Sequence, residues 1–134
     1  MAKTVCKLLG LVFVIVGIAG FASHDLLGAH LSTAHNAVHI VSGLVALYFG
    51  FAGSAGGARG FCFLFGIVYL LLGVCGFLLG HPGVSTIPGM AAMGSDPKLW
   101  PVLRGTLELG QRDHIIHVLL GVVFLLGGLM GKSE

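Results

Sequence analysis

Four stretches of this chain, residues 5–22, 36–52, 60–79 and 114–130, are apolar over the length of a bilayer crossing. A hydrocarbon core of about 30 Å takes roughly 20 residues of helix, with about 17 as the short limit. Lys7 is the one Lys, Arg, Asp or Glu inside these stretches, and it lies close enough to an end for its ammonium to reach water. In lipid each backbone polar group must be satisfied within the protein, and spans of this length satisfy theirs as helices. The composition agrees: 56% hydrophobic and 9% charged residues, with a mean hydropathy of +1.02, exclude an ordinary soluble domain. The expected organisation is all-α, one four-helix transmembrane domain over residues 1–134.

The spans come in a repeated order. Gly10, Gly17, Gly20 and Phe21 recur in register as Gly66, Gly73, Gly76 and Phe77. His39, Gly43 and Gly50 recur in the same way as His117, Gly121 and Gly128. Steps of four and seven residues return to nearly the same side of a helix, so each set forms a stripe. The pattern predicts two tandem helical hairpins, related by a pseudo-twofold axis along the membrane normal. It also argues that residues 5–22 are a true span, because a cleaved leader has no reason to share its pattern with an internal helix. A short Gly- and Ala-rich link, 53–59, joins the hairpins and is expected to make the second and third helices near neighbours.

Outside the spans the longest segment is 80–113, with all four prolines, Pro82, Pro88, Pro97 and Pro101, and the single Trp100. Prolines argue against a fifth span. Trp100 with Lys98 and Arg104 suits either a short surface helix over 97–109 or an ordered extramembrane cap. A net charge of +2 without a basic run gives no footprint for nucleic acid and no polybasic lipid patch. Lys3, Lys7, Arg59 and Lys132 fall on one side of the membrane, and Lys98, Arg104 and Arg112 on the other. The excess points to cytoplasmic termini and a His-rich face on the non-cytoplasmic side. Cys6, Cys62 and Cys75, an odd number without C-x-x-C spacing, read as small buried apolar residues.

Small residues let helices approach closely in lipid, where no hydrophobic effect drives them together. Gly17, Gly43, Gly50, Gly73, Gly121 and Gly128 are therefore the candidate packing positions. All seven histidines gather at the membrane face opposite the termini. Of these, His39 and His117 stand at equal depth, about one turn inside the apolar run, where ionisable groups are costly and tend to be paired or functional. Three arrangements suit them: hydrogen bonding within the bundle, a shared transition metal with His35 and His114 as further ligands, or axial ligation of a haem. No Ser, Cys or Glu stands at a spacing that marks a nucleophile or general base, so no catalytic residue is assigned.

The doubled pattern, G-x-x-G-F closing one helix and H-x-x-x-G opening the next, with Asn36 and Asp113 just before the two histidines, resembles a family of small four-helix bacterial membrane proteins classed as a domain of unknown function. The resemblance runs from about residue 10 to residue 128. It implies a bacterial inner-membrane location and no particular activity, and against it His30, His35 and His114 look like additions. The expectation is a structural or accessory protein whose partners are the bilayer and either a second copy or a larger membrane complex. A His-ligated metal or haem protein in redox chemistry or metal handling is the alternative.

Overall fold

A computed structural model describes residues 1–130; Lys132, counted above for orientation, lies outside the described residues. The chain forms four long helices, α1 (Ala2–Ala22), α2 (Thr33–Phe51), α3 (Ala55–Leu79) and α4 (Gln111–Met130), each long and apolar enough to cross a membrane. They start three to five residues before the apolar runs, and polar groups open α2, α3 and α4. The Ser32 hydroxyl accepts from His35 N at 3.2 Å and the Ser54 hydroxyl from Gly57 N at 3.0 Å, each satisfying an amide that the first helical turn leaves without a partner. At α4 the Asp113 carboxylate reaches back to Gly110 N at 2.8 Å, and Asp96 accepts from Gln111 N at 2.9 Å.

Each helix buries a narrow seam and leaves its remaining faces apolar and exposed, as a lipid solvent requires. The seams have a seven-residue period. Cys6, Phe13 and Gly20 are buried on α1, and Asn36, Gly43 and Gly50 on α2. Cys62, Tyr69 and Gly76 are buried on α3, and His114, Gly121 and Gly128 on α4. The glycines show which helices meet. A Cβ on Gly17 would lie 2.9 Å from Asn36 O, and one on Gly43 2.8 Å from Gly10 O. One on Gly50 would lie 2.9 Å from Lys7 N. Early positions of α1 thus meet late positions of α2, and the pair is antiparallel. In the second pair Gly73 faces His114 O at 2.8 Å, Gly121 faces Leu70 N at 2.6 Å, and Gly128 faces the Phe63 ring at 3.3 Å.

The short link 52–54 therefore does not make α2 and α3 the close pair expected from the sequence. Glycine contact decides the pairing, and it joins α1 to α2 and α3 to α4. Between the pairs, Cys6 and Cys62 lie with their sulfurs 3.8 Å apart, and Phe13, Tyr69 and Phe124 stack at 5.3–6.2 Å between ring centroids. Phe61 and Phe65 extend this aromatic column toward the termini.

Residues 80–110 form a cap, and it is built of strands rather than a surface helix. Strands β1 (His81–Val84), β2 (Ser95–Leu103) and β3 (Leu107–Leu109) make an antiparallel sheet in that order. Pro97 and Pro101 explain the difference: a helix over 97–109 would place Pro101 in its interior, where it removes a hydrogen bond and clashes with the preceding turn. Although β2 is the middle strand, it pairs with β1 only over 95–99 and with β3 only over 100–103, and proline is tolerated at an irregularity; the two register shifts fall between His81 and Gly83 and between Pro101 and Leu103. Gly105, at φ +80°, supplies the left-handed residue of the β2–β3 turn. Glu108 pins the cap from within. Its carboxylate accepts from Ser85 Oγ and Thr86 N, both at 2.8 Å, from Gly105 N at 3.2 Å, and from the Thr86 hydroxyl. Burial alone would raise its pKa, but these donors outweigh burial and hold it below the usual carboxylate value.

Candidate metal centre

The aromatic column ends, beneath the cap and loop 23–32, in three histidines. His39 stacks on Phe13 at 5.5 Å and His117 packs on Tyr69 at 5.4 Å, so the ring below fixes each imidazole. His35, one turn before His39 on α2, covers both, with centroids 4.2 Å from His39 and 5.9 Å from His117. All three are buried, and one ligand-capable nitrogen from each lies within 4.8 Å of the other two.

The local folding of loop 23–32 sets the tautomer of His35. His24 and Leu31 close the loop on itself, Leu31 N donating to His24 O at 2.9 Å and His24 Nδ1 donating to Leu31 O at 2.7 Å. This leaves His30 O facing α2, where it accepts from His35 Nδ1 at 2.8 Å. With the proton on Nδ1, Nε2 of His35 carries the lone pair. A ring nitrogen donating to a carbonyl while the other is free to ligate is the arrangement found in histidine metal ligands. Nδ1 of His39 and Nδ1 of His117 are buried with no hydrogen-bond partner among the described residues.

Asp113 borders the trio from the first turn of α4. It is buried, and its Oδ2 accepts from His30 N at 3.0 Å and Gly110 N at 2.8 Å, tying loop 23–32 to α4. The His30 ring approaches the same oxygen at 3.6 Å. Burial works against a charge on His30, but Asp113, aided by Asp96 and Glu108, outweighs it and raises the His30 pKa.

His114, grouped with the trio by spacing alone, is placed elsewhere. Three residues along α4 put it on the seam facing α3, not on the bundle axis. There it lies over Gly76, edge-on to Phe77 at 5.4 Å, and its Nε2 donates to Lys98 O at 2.7 Å, fastening the cap to the bundle. His24 and His81 are exposed and stand apart from the trio. The six packing glycines all face neighbouring helices of the same chain. Sequence reasoning missed the role of Ser32 in presenting His35, although a Ser three residues before it was the available signal.

A cavity of about 170 Å³ opens on one side of the trio, between α1, α4 and loop 23–32, and a smaller one of about 70 Å³ lies on the other side beneath the cap. Four apolar spans, a β-cap at one end and buried polar side chains beneath it define a multi-pass membrane protein. A family model described as a domain of unknown function, DUF4383, matches residues 3–95, and the chain belongs to that family. The match takes in His35 and His39 and stops before α4, so Asp113 and His117 lie beyond it, and it is shorter than the range over which the sequence motifs run. No curated protein and no solved structure matches the chain.

Proposed function

We propose that this is a bacterial inner-membrane protein that binds a transition metal through His35, His39 and His117, on the non-cytoplasmic side. The observation that carries the reading is the convergence of three buried imidazole nitrogens within 4.8 Å, with the tautomer of His35 set for ligation. Ligands at about 2.0–2.1 Å from one metal stand roughly 3.5 Å apart, a distance that small side-chain rotations supply. Imidazole suits zinc, copper, iron and nickel. Burial selects among them by charge. Three neutral rings leave the ion's charge facing only Asp113, which is already shared with His30 at 3.6 Å. A monovalent ion costs less here than a divalent one, which favours Cu(I).

The haem alternative fits poorly, since pockets for ligands smaller than a macrocycle already run about 300–1,000 Å³, against about 170 Å³ beside the trio. A structural or accessory role, packing on partners through glycine stripes, draws no support from these six glycines, which face helices of the same chain. A pseudo-twofold relation of the two hairpins accords with the site. Phe13 beneath His39 on α1–α2 answers Tyr69 beneath His117 on α3–α4.

The test is metal analysis of protein purified in mild detergent without chelator, followed by reloading of stripped protein with Cu(I) or Zn²⁺. One Cu(I) per chain is expected, and it is lost in His35→Ala, His39→Ala and His117→Ala but retained in His24→Ala and His81→Ala. The double variant of His39 and His117 should lose no more than either single one, because the ligands act as a unit. Wild-type protein that takes up neither ion refutes the proposal.

A further inference from the structure

The chamber beside the trio has a composition that matches no solvent path. Its lining is almost wholly apolar, with Val12, Val16, Leu27, Ile116 and Leu120 closing the side away from the imidazoles. Asp113 is the one carboxylate on the wall, and its Oδ2 is engaged by two backbone amides. Apolar cavities near 150 Å³ stay dry and take up apolar guests such as xenon or benzene. The mouth is rimmed by apolar side chains: Val12 and Leu27 line the chamber and are also 46% and 70% exposed on the outer surface. Leu27 reaches this place through a left-handed backbone conformation, φ +57°, that leucine rarely adopts.

Resting on the metal reading above, we infer that the metal's fourth position opens into this chamber and takes a small uncharged molecule of diatomic size, arriving from the hydrocarbon of the bilayer. A site with three protein ligands keeps a fourth position for an exogenous one. The three imidazoles form one wall of the chamber, so a metal among them has a face toward it. A charged or strongly polar ligand would find no hydrogen-bonding group on the opposite wall. A small neutral molecule that partitions into lipid meets no such penalty.

The probe is carbon monoxide added to Cu(I)-loaded protein in mild detergent, read by the infrared C–O stretch, with metal content measured on the same samples. One carbon monoxide per copper is expected. Val16→Phe, which fills the chamber from the edge of α1, should weaken carbon monoxide binding at least tenfold at unchanged copper content, and Leu120→Phe, filling it from α4, should do the same. Xenon binding to stripped wild-type protein, followed by ¹²⁹Xe chemical shift and abolished in both variants, is expected on the same grounds. Copper-loaded protein that binds no carbon monoxide, or binds it equally in wild type and both filled variants, overturns the inference while leaving the metal site standing. Protein that takes up no copper overturns this inference, and protein that takes up neither copper nor zinc overturns the metal site as well.

Discussion

Substituting alanine at Gly121 adds one carbon at the tightest backbone approach between α3 and α4. That carbon would lie 2.6 Å from Leu70 N and 2.9 Å from both Leu70 Cα and Gly66 O. Carbon atoms attract best at about 3.5–4.0 Å, and the obstructing atoms are helix backbone, with no rotamer to change. The two helices must part by more than half an ångström, as an order of magnitude, along a seam packed like a protein interior. Overpacking of this kind costs about 1–3 kcal/mol. Removing a glycine from a helix interior returns about 0.5–1 kcal/mol, so the net loss should be about 1 kcal/mol at mid-range, roughly a fivefold fall in the ratio of folded to unfolded protein. Gly60, inside α3, is the matched control, because a Cβ there meets nothing within 4 Å. Gly60→Ala should gain the helix term alone. Both variants are compared with wild type by titrating mixed micelles with a denaturing detergent and following helicity. The reasoning fails if Gly121→Ala is as stable as wild type, or if both substitutions shift stability in the same direction.

Three other outcomes follow from the same geometry. Glu108 has its pKa lowered in the folded cap, so its contribution is complete above the unfolded value, near 4.5, and is lost as pH falls through the folded one. Protease resistance of the cap should therefore drop with acidification below about pH 4.5, and Glu108→Gln should remove that dependence. At neutral pH the same substitution should cost the cap about 1.5–3 kcal/mol by weakening the hydrogen bonds to a charged acceptor, seen as faster amide exchange over β2 and β3. Cys6 and Cys62, 3.8 Å apart at sulfur, should form an intramolecular disulfide on treatment with a membrane-permeant oxidant, while Cys75 stays alkylatable. Mass spectrometry showing no 6–62 link would contradict the packing of α1 on α3.

The four helices were legible because lipid imposes one requirement on every span, and apolar length reports it directly. The seams were legible for a related reason: a seven-residue glycine spacing has few uses in a membrane other than close packing. Helix pairing was not, because the shortness of the link at 52–54 constrains where α3 begins but not which face it turns toward α2. Trp100, Lys98 and Arg104 left two readings of this segment open, an interfacial helix or an ordered extramembrane cap, and the strands of the cap were not foreseen. Leu107, Glu108 and Leu109 alternate with a period of two, and Pro101 forbids a helix interior, but so short a strand carries a weak signal until Glu108 finds its donors 22 residues away. Of the four histidines grouped by spacing as metal ligands, His35, His39 and His117 converge. His114 does not, because a three-residue step on α4 turns it from the bundle axis to the α3 seam.

The fit of His114 over Gly76, and of the Asn36 side chain over Gly20, ties the size of one position to that of another on the facing helix. Neither glycine can acquire a methyl group while its partner keeps its present bulk. Lineages descending from this sequence can therefore change these positions only as pairs. Alanine or serine at 76 should travel with a shorter side chain at 114, and the loss of His114 should coincide with a different way of fastening the cap. Substitution at 60 or 56, where no such partner exists, is free to drift alone.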